Sequence, residues 1–315
     1  MSIFPDSMRN RLRSTFTGQL DGPPDWVLAL DTGDDAGFFA PDSATWAVHG
    51  QTATIVAGVR ALLMQSLHPG ALAGVHDWSR YKEDPLGRLA GTIRWIFTVT
   101  YADTATAIDA SNWVLKLHER VVGRYIDAQG RDRPYAANDS ELLSWVHLAF
   151  TDSFLATAKL WSSPIPGGPD AYVREWAKAG ELMGVPNPPR SEAELQSQLR
   201  AFLTSGTLKS DERVAETVRF LRRPPLARSM MPGYGILFAG AVSSIAPEYR
   251  RMLGLNPARI AHLLPTVAAT NLVLKVIGNM LGTGPGPSEL AARRRLARLA
   301  AAGAADAAAV STSAA

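Results

Sequence analysis

The sequence predicts an all-α protein built as a single large multi-helix domain. Apolar residues recur at helical spacing in one segment after another, and no alternating apolar and polar stretch is long enough to require a strand. Nothing in the middle of the 315-residue chain has the composition of a flexible linker. A core of that size can enclose a cofactor.

Changes in composition divide the chain into three parts. Residues 1–25 are polar and interrupted by Pro and Gly, which predicts an N-terminal arm. Residues 26–281 carry the helical pattern of the main domain. Residues 282–315 begin with a Gly/Pro turn and continue as an Arg/Ala-rich tail, whose arginines we expect on a solvated helix face: Arg293, Arg294, Arg295 and Arg298.

Helical periodicity and end signals place the individual helices. Asp139 with Ser140 is a good N-cap, while Gly184 and Pro186 end the helix before them. A pair of short strands around residues 125–136 would fit a hairpin arm. The predicted helices span residues 43–48, 52–67, 70–76, 86–100, 104–126, 139–161, 169–183, 191–204, 209–221, 227–245 and 257–281.

Composition excludes several classes of protein. The chain has no cysteine, so disulfides, cysteine-ligated iron–sulfur clusters, thiolate-ligated haem and thiol nucleophiles are excluded. A net charge of +3 gives no reason to expect nucleic acid as a partner. No secretory signal is recognisable at the N-terminus, so we expect a cytoplasmic protein.

The longest apolar stretches are interrupted, so we expect no transmembrane helix. Arg60, Pro247 and Lys275 each break or end one of them. Residues 260–281 are apolar enough to leave peripheral contact with a membrane open.

His118 is the most informative single residue. Helical spacing places Val114, Leu115, Val121 and Val122 three and four positions away, so the imidazole is predicted to point inward. A buried imidazole needs a hydrogen-bond partner or a ligand, and neutral His is a good ligand for iron, including haem iron. A hydrogen-bonded core histidine is the alternative interpretation.

Arg88 and Thr92 are four residues apart and share a helical face that becomes apolar towards Trp95 and Val99. The alternative interpretation is an ordinary amphipathic helix whose first turn is exposed to solvent. The functional interpretation is that the guanidinium and the hydroxyl line a pocket and donate to a carboxylate or an oxidant.

Other histidines compete with His118. His147 is the best rival for iron, since Leu143, Phe150, Thr151 and Phe154 share its face. We expect His68 to cap the end of the helix before it. His49 and His76 border turns, and His262 is expected to be structural. Val122 stands where a His-Glu-x-x-His zinc motif would need its second histidine, so that motif is absent.

A series of short motifs over residues 35–255 resembles the MpaB-type oxygenases, which share a catalytic domain with a rubber oxygenase, the latex-clearing protein. The order of the motifs, rather than any one of them, makes the resemblance specific. They are Pro41–Ser43, Trp46–Gly50, Arg60–Gly70, Gly74–Val75, Arg88–Thr92, His118, Asn138–His147 and Gly184–Pro186.

The resemblance implies a helical domain with a globin-like core that binds b-type haem. It gives His118 the role of proximal iron ligand, and it places Arg88 and Thr92 on the distal side. Gly91 stands where the rubber oxygenase has a distal lysine. A lysine-capped haem is therefore not expected, and the distal site would be open or filled by water.

Three hypotheses follow. The first is a haem-b-dependent oxygenase that oxidises or cleaves an alkene in an apolar, isoprenoid or fatty-acyl-like substrate with O2 or peroxide. In it His118 binds iron, while Arg88 and Thr92 steer the oxidant. The second is a non-catalytic helical protein that binds haem or a lipid. Gly91 supports this hypothesis, because it replaces the distal lysine of the rubber oxygenase. The third is a non-haem iron enzyme that uses His118, a carboxylate, and His147 or His68.

Overall fold

The computed structural model describes residues 23–79, 85–255, 265–282 and 284–313. Over these residues the chain forms fourteen α-helices and one two-stranded sheet, so the predicted all-α class is confirmed. Most of the predicted N-terminal arm, and the beginning of the helix predicted at 257–281, lie outside the described residues.

The helices follow one another with short connections. A 3₁₀ turn at Ala29–Asp31 follows the first helix, and the strands β1 (Val122–Ile126) and β2 (Asp132–Ala136) separate α6 from α7. The helices are α1 (Asp25–Leu28), α2 (Ala44–His49), α3 (Thr54–Gln65), α4 (Pro69–Trp78), α5 (Pro85–Tyr101), α6 (Thr104–His118), α7 (Ser140–Trp161), α8 (Gly168–Leu182), α9 (Glu192–Thr204), α10 (Glu212–Arg222), α11 (Met231–Ser244), α12 (Pro247–Met252), α13 (Thr266–Leu281) and α14 (Pro287–Ser313).

Short polar side chains begin several of these helices. Ser43, Asp103, Ser191 and Asp211 each accept a hydrogen bond from a backbone N–H in the first turn of α2, α6, α9 and α10. Asp139 stands at the N-cap of α7 as predicted, but its carboxylate accepts from Ala136 N instead (2.8 Å).

The core is centred on α3 and α7, which pack along each other. Their buried faces carry large side chains such as Met64 and Trp145. Arg60 of α3 is buried with them and forms an ion pair with Asp152 of α7 at 2.6 Å. Its guanidinium also donates to Ser153 Oγ at 2.8 Å, so the charge is paired and hydrogen-bonded inside the core.

The prediction of one helix over 104–126 is wrong, because α6 ends at His118. Val122 begins β1, which pairs antiparallel with β2 in the register Val122↔Ala136 to Ile126↔Asp132. The expected hairpin is therefore present and starts earlier than predicted. Tyr135 of β2 donates to Asp77 Oδ2 (3.0 Å), and Trp78 Nε1 donates to Val122 O (3.0 Å). These bonds hold the hairpin against α4.

The expectation of a solvated arginine face on the tail is wrong for Arg295. Its guanidinium is fully buried and donates to the carbonyls of Leu30 (2.7 Å), Tyr101 (2.8 Å) and Ala36 (3.4 Å). Helix α14 thus packs against the 3₁₀ turn and the end of α5. The sequence shows only a run of arginines and cannot indicate which member meets three free carbonyls.

Candidate functional site

Helices α5 and α6 form a tight antiparallel pair that carries three of the predicted site residues. Only two residues connect the helices, and Asp103 caps α6 by accepting from Thr106 N (3.3 Å). Trp95 Nε1 of α5 donates to Ser111 Oγ of α6 at 3.2 Å. This hydrogen bond identifies the two faces that meet.

Helical periodicity extends the register of this pair. Arg88 lies seven residues before Trp95, and His118 lies seven residues after Ser111. Seven residues are close to two helical turns, or about 10 Å along the axis. Arg88 and His118 therefore lie at a similar level, on the sides of α5 and α6 that meet at Trp95 and Ser111.

The face of α5 around Thr92 is open. Arg88 is half-buried and Thr92 is exposed. Thr92 Oγ1 donates to the backbone carbonyl of Arg88 at 3.3 Å. A Cβ built on Gly91 would have no atom within 4 Å among the described residues. As far as the described residues show, the space beside Gly91 is free, on the face where the resemblance implies the distal side.

His118 is the last residue of α6 and is half-buried. Its Nδ1 is buried and has no hydrogen-bond partner among the described residues. Burial lowers the pKa of His118, and the side chain of Asn138 opposes part of that effect. The imidazole is therefore mostly neutral at pH 7, the state in which it ligates iron.

Asn138 lies in the turn between β2 and α7 and reaches back to α6. Its Nδ2 donates to Leu115 O at 3.0 Å. Its Oδ1 is buried and, within the described chain, has no hydrogen-bond partner. The motif that carries the family resemblance includes Asn138, but sequence reasoning gave it no role, since only the packing of the turn against α6 brings it near His118.

His147 is buried in the middle of α7, as its apolar face predicts. Burial lowers its pKa to about 4. Its Nε2 has no partner in the described part of the structure and faces α8, where a Cβ on Gly180 would lie only 3.0 Å away. The close approach of α8 explains why position 180 is a glycine and leaves no room for a ligand at this nitrogen.

His49 uses both ring nitrogens inside the protein. Thr100 Oγ1 donates to Ile96 O (2.7 Å), so its remaining role towards His49 Nδ1, at 2.7 Å, is that of acceptor. His49 therefore carries its proton on Nδ1, and Nε2 accepts from Tyr172 OH at 3.1 Å. Burial lowers its pKa to about 3. This histidine is a neutral structural residue.

His68 caps a different helix from the one predicted. It stands at the N-cap of α4, where its Nδ1 accepts from Gly70 N (3.2 Å) and Ala71 N (3.4 Å). Its Nε2 then donates to Glu141 Oε1 at 3.0 Å. The expectation that His68 caps the end of α3 is wrong, because the ring turns forward to the free amides that follow Pro69.

Among the described residues, no group of three or more His, Asp or Glu side chains could hold a metal ion. A cavity of about 430 Å³ lies beside the hairpin, and none of the predicted site residues lines it. Its lining residues are Tyr125, Asp127, Gln129, Arg131, Arg133, Ser205 and Thr207.

Comparison with known families gives one match. The model of the family described as "ER-bound oxygenase mpaB/B'/Rubber oxygenase, catalytic domain" matches residues 46–273, well over half of the chain. The chain belongs to this family. Helices α3 to α12 lie wholly inside the match, so α5, α6 and α7 with their site residues are part of the family's catalytic domain.

Membership assigns an oxygenase-type role, and with it O2 and a small-molecule substrate. No curated protein and no solved structure matches the chain. In the described part of this chain, no helix is both long enough and apolar enough to span a membrane.

Proposed function

We propose that this member of the mpaB/rubber oxygenase family is a haem-b-dependent oxygenase. The observation that carries the proposal is the register of α5 and α6, in which Arg88 and Thr92 of one helix face the side of the other that ends in His118. A nitrogen ligand and two hydrogen-bond donors on facing helices suit a planar cofactor between them.

The residues present fit a haem iron with one protein ligand. His118 is half-buried and mostly neutral, so its ring can reach a ligand while keeping a lone pair for it. The open face at Gly91 provides space on the opposite side. When bound, haem would supply the redox-active iron that activates the oxidant.

Each residue then has a separate task. His118 binds the iron and fixes the position of the cofactor. Arg88 would stabilise the negative charge that develops on O2 or peroxide, through its permanent positive charge and its N–H donors. The Thr92 hydroxyl donates to the Arg88 carbonyl of its own helix. It can rotate and donate a hydrogen bond instead to an oxidant that gains negative charge.

The packing of His147 supports His118 as the ligand. A Cβ on Gly180 would lie 3.0 Å from His147 Nε2, so α8 packs closely on this nitrogen and haem ligation there would require α8 to move. His118, in contrast, is only half-buried.

For the substrate we propose an apolar alkene of the isoprenoid or fatty-acyl class, which the oxygenase oxidises or cleaves at the double bond. Helix α6 supports an apolar ligand, because Trp113 and Leu117 share a face and are 63% and 42% exposed. The same exposed face would suit peripheral contact with a membrane.

A non-catalytic haem- or lipid-binding protein is the second candidate. Gly91 favours it, because the rubber oxygenase has a lysine at the corresponding position. Haem binding without turnover of any alkene would select this alternative.

The absorption spectrum of protein expressed with added haem tests the proposal. We expect a Soret band in the wild type, its loss in His118→Ala, and its retention in His147→Ala. Circular dichroism should show nearly unchanged helicity in His118→Ala, because the variant removes only one half-buried ring at a helix end.

Two outcomes would contradict the assignment. A normal Soret band in His118→Ala together with its loss in His147→Ala would make His147 the ligand. A wild-type protein that stays free of haem after haem-supplemented expression would overturn the haem proposal itself.

A further inference from the structure

Three hydrogen bonds hold the turn that contains Asn138 against the end of α6, where His118 lies. Val121 N donates to His118 O (2.9 Å), and Ala137 N donates to Val121 O (2.9 Å), so the residue before Asn138 is held beside the end of α6. Asn138 Nδ2 then donates to Leu115 O. Leu115 lies three residues before His118, on the same side of the helix.

The bond to Leu115 fixes which way the amide of Asn138 points. A carbonyl oxygen only accepts, so the group that meets Leu115 O must be the NH₂ group. The oxygen Oδ1 is on the same carbon, and the influence of the Asn138 side chain on the His118 pKa places the two side chains next to each other. The structure thus leaves one buried acceptor, Oδ1, and one buried ring nitrogen, Nδ1, without partners among the described residues.

These two atoms complement each other. A protonated Nδ1 is a donor, and Oδ1 of Asn138 needs one. The favourable effect of Asn138 on the charged form of His118 has the same origin, since an acceptor stabilises a protonated ring. A hydrogen bond from Nδ1–H to Oδ1 would satisfy both atoms.

We infer that Asn138 is a positioning residue that keeps the proton of neutral His118 on Nδ1, so that Nε2 carries the lone pair available for a haem iron. The inference rests on the proposed function for its consequence. Histidine ligands of metals commonly donate their second ring N–H to a carbonyl, which fixes the tautomer and the ring plane.

The first arm of the test uses the haem-free full-length protein. The tautomer of His118 is read from ¹⁵N chemical shifts of histidine-labelled protein at pH 8, with His118→Gln to assign the signal. We expect the Nδ1–H tautomer in the wild type and in Asn138→Asp, which keeps the acceptor. In Asn138→Ala we expect a shift towards Nε2–H.

The second arm uses the haem-loaded protein. Loss of this kind of support usually weakens metal affinity about 10–100-fold, so Asn138→Ala should bind haem that much more weakly. The iron–histidine stretching frequency of the ferrous form should fall in Asn138→Ala and rise in Asn138→Asp, because a carboxylate pulls harder on the Nδ1 proton. Asn112→Ala is the matched control. Asn112 is an exposed asparagine on α6, the helix that carries His118, so its removal should change neither the haem affinity nor the stretching frequency.

The two arms separate failure of the inference from failure of the proposed function. A wild-type His118 with its proton on Nε2, or an unchanged tautomer in Asn138→Ala, would overturn the role of Asn138 whether or not haem binds. If the tautomer responds as expected but no haem binds, the positioning role stands and the haem proposal falls. Should Asn138→Ala fail to fold, Asn138→Asp decides through the stretching frequency alone.

Discussion

At the scale of single residues, burial sets the charge state of the histidines. His49 lies among four aromatic rings, with Trp176 at 4.5 Å and Phe154 at 5.2 Å between ring centroids. Burial among these rings penalises the charged imidazolium, so the neutral form is strongly favoured. The two hydrogen bonds of His49 to Thr100 and Tyr172 need that neutral form with its proton on Nδ1.

This arrangement predicts a stability that falls in acid. In the unfolded chain His49 takes up a proton below about pH 6.5, whereas in the folded protein its pKa is about 3. The unfolded state therefore binds one more proton between these values, and His49 costs about 1.4 kcal/mol of stability per pH unit as the pH falls.

His49→Gln checks this prediction. The variant should be less stable at pH 7, because it loses the ring packing, but its unfolding free energy should fall less steeply from pH 6 to pH 4. Urea unfolding at several pH values measures both quantities. Equal slopes for wild type and variant would show that His49 does not supply the acid sensitivity.

Sequence reasoning was least successful for single side chains. It predicted the buried location of His147 correctly from the apolar face, but it could not see that Gly180 closes off Nε2. It also placed His68 on the wrong helix end. For His147 the deciding neighbour is Gly180, on a helix that no local spacing brings near. For His68 the partners are the nearby amides of Gly70 and Ala71, together with the distant Glu141.

At the scale of secondary-structure elements, the two-residue connection between α5 and α6 sets the register of the candidate site. The aligned faces follow from that connection together with the Trp95–Ser111 bond. The open part of the pair, around Thr92, lies near the middle of α5, in the half of the helix remote from the connection.

If the open face is the distal side, Arg88 and Thr92 should affect turnover rather than haem binding. Removal of one preorganised donor typically costs about 10²–10³ in rate, so Arg88→Ala should lose that factor with its Soret band intact. Thr92→Val, which is nearly isosteric, should lose less. Steady-state oxidation of an isoprenoid and fatty-acyl alkene panel at matched haem content measures the effect.

Arg94→Ala provides the matched control for this comparison. Arg94 is an exposed arginine on the same helix but on a different face, so its removal should leave the rate unchanged. Equal rates for wild type, Arg88→Ala and Thr92→Val would return Arg88 to the role of an ordinary helix-surface charge.

Element boundaries were predictable wherever local chemistry decides them. The predicted 139–161 and 191–204 helices differ from α7 and α9 by a single residue at one end, since Asp139 and Ser191 are N-caps that the sequence displays. The end of α6 was missed by several residues. Val121 and Val122 continue the helical apolar pattern, and only pairing with the distant strand β2 draws them into the hairpin.

At the scale of the whole molecule, α14 joins segments far apart in sequence. Arg295 satisfies three backbone carbonyls from the 3₁₀ turn, the loop after it and α5. Arg293 stacks over the Trp46 ring at 5.5 Å, and Arg294 pairs with Asp31 at the surface. Composition alone identified this segment as a tail and could not indicate that it packs into the fold.

Two neighbouring arginines should therefore differ in their effect on thermal unfolding. Arg295→Met leaves three carbonyls without their charged donor, and bonds to charged groups contribute about 1.5–3 kcal/mol each, so a loss of at least about 3 kcal/mol is expected. Arg294→Ala removes an exposed ion pair that contributes about 0–1 kcal/mol. Calorimetry of both variants measures the difference, and equal Tm values would contradict the buried role of Arg295.

The hydrogen bond between Arg295 and Leu30 also has a consequence for the order of folding during synthesis. The two residues are 265 positions apart, and a ribosome that adds about 5–20 residues per second needs about 10–50 s to pass from one to the other. During that interval helix α1 and the 3₁₀ turn at Ala29–Asp31 have left the ribosome without the helix that covers them. Water must donate to the Leu30 carbonyl until α14 has been synthesised. Packing of α14 against the 3₁₀ turn is therefore among the last events of folding on the ribosome.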